Sequence, residues 1–205
     1  MKKTIILLGS VLIIFFGACS KNSSNNNQYL QPHDANVMMD TMHAIMNRME
    51  AMAMSHDPEI DFAKMMTMHH EGAISMANME LKTGKNDSLK RIAQKIIKEQ
   101  QMEIQQFKTI LASLTVDNMD MDYMMEQMAG MKKMDAAMDV QLVTGDTDND
   151  FATLMMVHHQ SAIDDASGYL HHGNNVQLKT IANNIIKSQT MEIQELGNWL
   201  KANRR

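Results

Sequence analysis

The chain has one cysteine, two prolines, nine glycines and only 4% aromatic residues in a length of 205. A lone cysteine excludes an internal disulfide and any metal site built from several thiolates. Scarce proline and glycine leave long helices unbroken. The shortage of aromatic residues, with no stretch alternating apolar and polar side chains, argues against sheet. Net charge is only −5, and the mature chain is more acidic still without Lys2 and Lys3. That balance disfavours nucleic acid as a partner and suits a cation. No Glu is followed three residues later by His, so the helical signature of a carboxylate-bridged di-iron site is missing. No nucleotide or organic cofactor is expected.

Leucine is the other absence, and it is local. Between Met38 and Met54 the one branched aliphatic is Ile45, and Met119 to Met138 contains none. Methionine stands in these places, 25 times over the whole chain. Met38, Met39, Met42, Met46, Met49 and Met52 follow helical spacing, as do Met121, Met124, Met128, Met131, Met134 and Met138. Methionine fills irregular core gaps, but ordinary packing does not replace nearly every leucine. Thioethers select Cu(I) and similar soft ions. Met39, Met42 and Met46 with His43 beside them form one candidate metal-binding group, and Met124, Met128 and Met131 form another.

Met1 to Cys19 reads as an export signal: Lys2 and Lys3, an apolar stretch from Ile5 to Phe16, then Gly17-Ala18. The stretch is too short to span a bilayer. Phe16-Gly17-Ala18-Cys19 resembles the bacterial lipoprotein processing box, with Cys19 as the lipidation site. Ser20 to Pro32 is a polar tether unable to bury enough apolar surface to order itself. A helical domain over 33–203 is expected to follow.

That domain is a duplication. Asp61 to Ala77 (Asp-Phe-Ala-Lys-Met-Met-Thr-Met-His-His-Glu-Gly-Ala-Ile-Ser-Met-Ala) recurs 89 residues later as Asp150 to Ala166. The copy continues through Met102-Glu103-Ile104-Gln105 and Met191-Glu192-Ile193-Gln194. The repeats span about 34–115 and 117–203. Each holds a Met-rich helix and a long hairpin, and two such hairpins bury their apolar faces as a four-helix bundle. The fold class expected is all-α, with the Met-rich helices flanking or lengthening that bundle.

The paired histidines sort by helical spacing. His70 shares its face with Met66, Ala73 and Ala77, and His159 with Met155, Ala162 and Ala166. His69 sits with Met65 and Met76, whose counterparts beside His158 are Leu154 and Asp165. A single histidine on an apolar face is usually a hydrogen-bonded core residue. Two equivalent pairs, each a turn after a methionine, point to metal. Glu103 and Glu192 stand at equivalent places on the partner helices, suited to hold the other N–H of a ligating imidazole.

The pattern Phe62-x3-Met66-x2-His69-His70-x2-Ala73-Ile74, followed by Gln100-x2-Glu103-Ile104, resembles the ferritin-like bacterial family called domain of unknown function 305. The second copy, Phe151 to Ile193, fits equally well, and the resemblance covers about residues 58 to 202. It implies a four-helix bundle exported to the cell envelope. It also implies copper binding and resistance, to which Met-rich members are linked. His69, His70, His158 and His159 with nearby methionines are the ligands it implies. Asp165 in place of Met76 departs from the first copy.

The function expected is a lipid-anchored envelope protein that sequesters or carries Cu(I) or Ag(I), facing the periplasm or the outer surface. It is not expected to be an enzyme, and a metal-transfer partner would be unknown. The rivals are a redox enzyme using bound metal and a metal-free interaction module.

Overall fold

The computed structural model describes residues 30–203. The expected export signal, Cys19 and the expected tether up to residue 29 lie outside the described residues. Six α-helices follow a 3-10 turn at His33–Ala35: α1 (Val37–Glu50), α2 (Pro58–Thr83), α3 (Asp87–Leu111), α4 (Met121–Asp139), α5 (Thr147–His172) and α6 (Val176–Ala202). No strand occurs among the described residues.

Each helix begins on an Asn or Asp whose side-chain oxygen takes up orphan N–H groups of the first turn. The caps are Asn36, Asp57, Asn86, Asp120, Asp146 and Asn175. These caps explain the boundaries. The first helix starts at Val37 because Asn36 accepts from Met38 N and Met39 N. It stops at Glu50 because the N–H groups of Ser55 and His56 turn to the Asp61 carboxylate. The last residues of the expected tether are held in place: Gln31 N donates to Val143 O at 2.8 Å.

The α2–α3 and α5–α6 hairpins form the four-helix bundle, with α2 against α5 and α3 against α6. The Met-rich helices α1 and α4 flank the bundle, packed on α2 and α5 and touching each other. The outcome is three layers of two helices, with α2 and α5 in the middle.

Helices α2 and α5 run antiparallel about a pseudo-twofold axis. Glu59 Oε1 accepts from the N–H groups of Asn174 and Asn175 at 2.6 and 3.1 Å. Its counterpart Asp148 accepts from Lys85 N and Asn86 N at 2.8 and 3.0 Å. Each repeat thus closes the hairpin turn of the other. A second matched pair acts within each repeat. Asp61 takes Ser55 N, Ser55 Oγ and His56 N, and Asp150 takes Thr144 N, Thr144 Oγ and Gly145 N. Among the described residues, His56 and Gly145 are those at positive φ, 66° and 76°.

The core has two main parts. Phe62 stacks on Tyr169 (centroids 4.2 Å apart) and meets Phe107 edge-on, with Met66 and Ile185 in the same cluster. Met38, Met39, Met42, Met46, Met76, Met138 and Met155 fill the other cluster with Leu89, Ile96 and Leu196. On α3 the buried stripe is Leu89, Ala93, Ile96, Gln100, Ile104, Phe107 and Ile110. Ile92, Ile97 and Leu111 at its margins are only half-buried.

Candidate metal centre

The middle helices carry both histidine pairs, and all four imidazoles are buried. Neighbouring helix residues point about 100° apart, so each pair divides between two interfaces. His70 turns to its own hairpin partner, with Nε2 2.7 Å from Glu103 Oε2 on α3. His159 does the same on the other side, 3.0 Å from Glu192 Oε2 on α6, though less well aligned for a hydrogen bond. Burial works to raise the Glu192 carboxyl, but His159 and Lys95 facing it outweigh that and hold it below the ordinary range. Both glutamates therefore stand against the imidazoles that the repeat pattern paired with them.

His69 and His158 turn the other way, toward each other. Their rings meet across the α2–α5 interface with centroids 3.7 Å apart. Burial pushes both imidazoles well below their ordinary pKa, and neighbouring histidine charges add to this. Both rings are therefore neutral, the state in which imidazole offers a lone pair to a metal.

The axis is not fully symmetric. His69 Nε2 lies 2.8 Å from Ser161 Oγ, while Ser161 donates to His158 O at 2.7 Å. This network assigns the His69 proton to Nε2 and leaves Nδ1 with its lone pair, buried and without a hydrogen-bond partner. The counterpart of Ser161 is Gly72, which has no hydroxyl. A Cβ there would stand 3.2 Å from His158 Nε2 and 2.9 Å from Ile45 Cγ1. Both nitrogens of His158 are consequently unpartnered.

Beside His69 opens a cavity of about 440 Å³ between the middle layer and the Met-rich helices. Its soft lining is Met49 from α1, Met65 from α2, and Met131 and Met134 from α4. Met134 Sδ is 3.0 Å from Ser161 Oγ. Its polar side is Asp165 with Tyr123 and Gln127, whose Oη and Nε2 approach Asp165 Oδ1 at 3.5 and 3.3 Å. Burial pushes the Asp165 carboxyl up to about 7, against the lowering effect of Gln127 and Tyr123. One imidazole and four thioethers around one space form a donor set of the kind that holds a soft monovalent ion. Among the described residues no group of three His, Cys, Asp or Glu side chains is placed to hold a metal ion as a harder site would require.

The sequence-derived candidates separate accordingly. His69, Met65 and Met131 border the cavity. Met39, Met42, Met46, Met76 and Met155 lie in the methionine core and Met66 in the aromatic cluster. The His70–Met66 and His159–Met155 turns therefore do not share one site. His43 points to α4 instead of the methionines on its own helix, with Nε2 3.4 Å from Asp139. Met124 is half-buried and Met128 exposed. His171 borders the cavity, and its neighbour His172 pairs with Asp120 at 2.8 Å and Glu126 at 3.2 Å. The hydrogen bond that His172 donates to Asp120 raises the His172 pKa. Met49, Met134 and Ser161 were not singled out from the sequence. The two methionines stood three residues beyond Met46 and Met131 on the same stripes, and Ser161 stands where the first repeat has Gly72.

The family model described as Domain of unknown function (DUF305) matches residues 16–111 and again 112–200. Both matches take in a Met-rich helix, so the repeating unit is three helices, wider than the hairpin motif on which the resemblance rested. No curated protein matches the chain. Solved structures of CopM are similar. The apo form aligns with a TM-score of 0.55 at 29% identity, over 72% of this chain and 98% of that one. The Cu(I)-bound form gives 0.54 at 29% over 72% and 98%, and the Ag-bound form obtained by soaking gives 0.56 at 28% over 72% and 97%.

Proposed function

We propose that this chain, which belongs to the family described as Domain of unknown function (DUF305), binds Cu(I) and Ag(I) and sequesters or carries them in the cell envelope. The observation that carries the reading is the cavity in which His69 meets Met49, Met65, Met131 and Met134. Thioethers discriminate in favour of soft monovalent ions, and a neutral imidazole adds a nitrogen that zinc or iron sites would need in company with thiolates or carboxylates. The similarity to CopM, solved in Cu(I)-bound and Ag-bound forms, supports the same choice of metal. In this reading the ion is cargo, and the protein catalyses no reaction on it.

The envelope location rests on the leader, Met1 to Cys19, with Cys19 as the proposed lipid anchor. No helix among the described residues is long and apolar enough to cross a membrane, so attachment in this reading falls to that lipid. Glu103 and Glu192 hold His70 and His159 in place within each hairpin and so fix the helices that present His69 and His158.

The test is an anaerobic Cu(I) titration against a competing chelator. His69→Ala and the double variant Met65→Leu/Met134→Leu each lower the affinity by about tenfold or more, equivalent to ~1.4 kcal/mol. Leucine keeps the side-chain volume and removes the sulfur. Unchanged affinity in both variants overturns the assignment.

A further inference from the structure

The described residues begin at Leu30, at the end of the bundle where α1 and α5 start and α2 and α4 finish. Gln31, the next residue, is fixed on both sides. Its N–H donates to Val143 O at 2.8 Å, and its Oε1 accepts from Asn36 Nδ2 at 2.9 Å. His33 Nε2 lies 2.7 Å from Gln141 O. These contacts gather Leu30, the α1 residue Val37, and Val140 and Leu142 after α4. The four side chains are 60%, 63%, 74% and 66% exposed. A lone exposed aliphatic is ordinary, but four drawn from three segments to one end form an apolar patch, and such patches mark contact surfaces.

The cavity beside His69 lies toward the other end, with Met49 near the finish of α1, Met65 and Glu126 near the starts of α2 and α4, and His171 at the finish of α5. That far end exposes Met119, Met121 and Met125 with Val116 and Val176. It is also the end farther from the anchor. Leu30 comes eleven residues after Cys19, a stretch that spans at most roughly 40 Å when fully extended. Helix α2 alone is roughly 39 Å long at 1.5 Å per residue, so the far end would reach a bilayer only on a fully drawn-out chain.

We infer that the patch of Leu30, Val37, Val140 and Leu142 docks on the phospholipid bilayer that holds the anchor, so that the metal cavity faces away from the membrane. The inference rests on the lipid anchor at Cys19 proposed above. Four aliphatic side chains are too few to hold a free protein on a bilayer, but a tethered protein meets the surface at high effective concentration. The lipid thus provides attachment and the patch sets orientation. Asp34 and Asp139 flank the patch in sequence, and Lys82 borders the groove at Val37. With both signs of charge present, the contact rests on apolar burial and needs no anionic lipid.

The test couples the purified chain from Cys19 onward to a maleimide lipid in phosphatidylcholine vesicles. Cys19 is the one cysteine, so the coupling is specific and supplies an anchor whatever the cell attaches. Trp199, the one tryptophan, is replaced by Phe, and a new one is placed in the patch, Leu142→Trp, or at the far end, Val176→Trp. Brominated lipids are expected to quench the Leu142→Trp chain at least threefold more than the Val176→Trp chain. Adding Leu30→Ser/Val37→Ser/Val140→Ser to Leu142→Trp is expected to remove at least half of that difference. Amide hydrogen exchange on the unsubstituted chain is the second readout: residues 30–37 and 140–145 exchange more slowly on vesicles than in solution, and residues 113–120 do not change. Equal quenching at the two ends, or stronger quenching at the far end, overturns the docking. A difference that survives the three serines overturns the patch as its cause, and so does exchange at 30–37 and 140–145 that vesicles leave unaltered. Mass spectrometry of the native protein checks the anchor separately: a Cys19 without acyl chains overturns the lipidation reading, while the coupled chain still decides the patch.

Discussion

His69 and His158, separated by the 89-residue repeat, face each other with ring centroids 3.7 Å apart on the pseudo-twofold axis. They are equivalent by descent and unequal by environment, because Ser161 stands beside His69 Nε2 where Gly72 stands beside His158 Nε2. A hydroxyl that fixes the tautomer of a ligating imidazole usually matters about tenfold or more in metal affinity.

Ser161→Ala is therefore expected to weaken Cu(I) binding by about tenfold and to lower metal-free stability by ~1 kcal/mol, the net worth of one buried hydrogen bond. Chelator competition and thermal melting measure the two effects. Tighter Cu(I) binding in the variant would show that Nε2, released from the serine, is the ligating nitrogen.

The matched carboxylates Asp61 and Asp150 each hold a loop through three donors, and Asp150 also accepts from Asn36 Nδ2 at 2.7 Å. Removing either leaves buried N–H groups unpaired, at a cost of about 2–4 kcal/mol. Asp150→Ala should be the worse of the two by about 1 kcal/mol, because α1 loses its attachment as well. Urea unfolding of both variants decides this, and equal losses would mean that the Asn36 contact contributes nothing.

His56→Gly should stabilise the protein by about 0.5–1 kcal/mol. His56 has φ 66°, a conformation costly for a residue with a Cβ, and the second repeat already has Gly145 at the equivalent place with φ 76°. A melting temperature below wild type would show that the His56 side chain compensates for the strain.

Glu80 gives the stability a pH dependence. It is fully buried, and burial together with neighbouring Asp148 pushes its carboxyl from 4.5 up to about 8. A raised pKa means that the folded state binds the proton more tightly than the unfolded one. The Glu80 contribution is thus most favourable below about pH 4.5 and is lost as pH rises toward 8. Glu80→Gln should remove that decline and raise stability at pH 8 by about 1–3 kcal/mol. Denaturant melts at pH 5 and pH 8 check it. A variant with the same pH slope as wild type would place the titration elsewhere.

Much of this protein could be read from residue order, because its signals are local. The Asn and Asp caps, the 3.6-residue periodicity and the 89-residue offset depend on neighbours a few positions apart, and they specified helices, hairpins and duplication. The replacement of leucine by methionine indicated a soft metal from side-chain chemistry alone. Periodicity also placed His69 and His70 on different faces, but it does not say what each face meets. It set His70 and His159 among neighbours that are unchanged between the repeats. In the structure the two residues pack inside their own hairpins against Glu103 and Glu192. The antiparallel docking of α2 on α5 brought His69 to His158, and the placement of α1 and α4 over them opened the cavity that Met49, Met65, Met131 and Met134 share. His69 and His158 stand 89 positions apart in the sequence. These contacts depend on the shape of whole helix faces, so only the tertiary structure decided them.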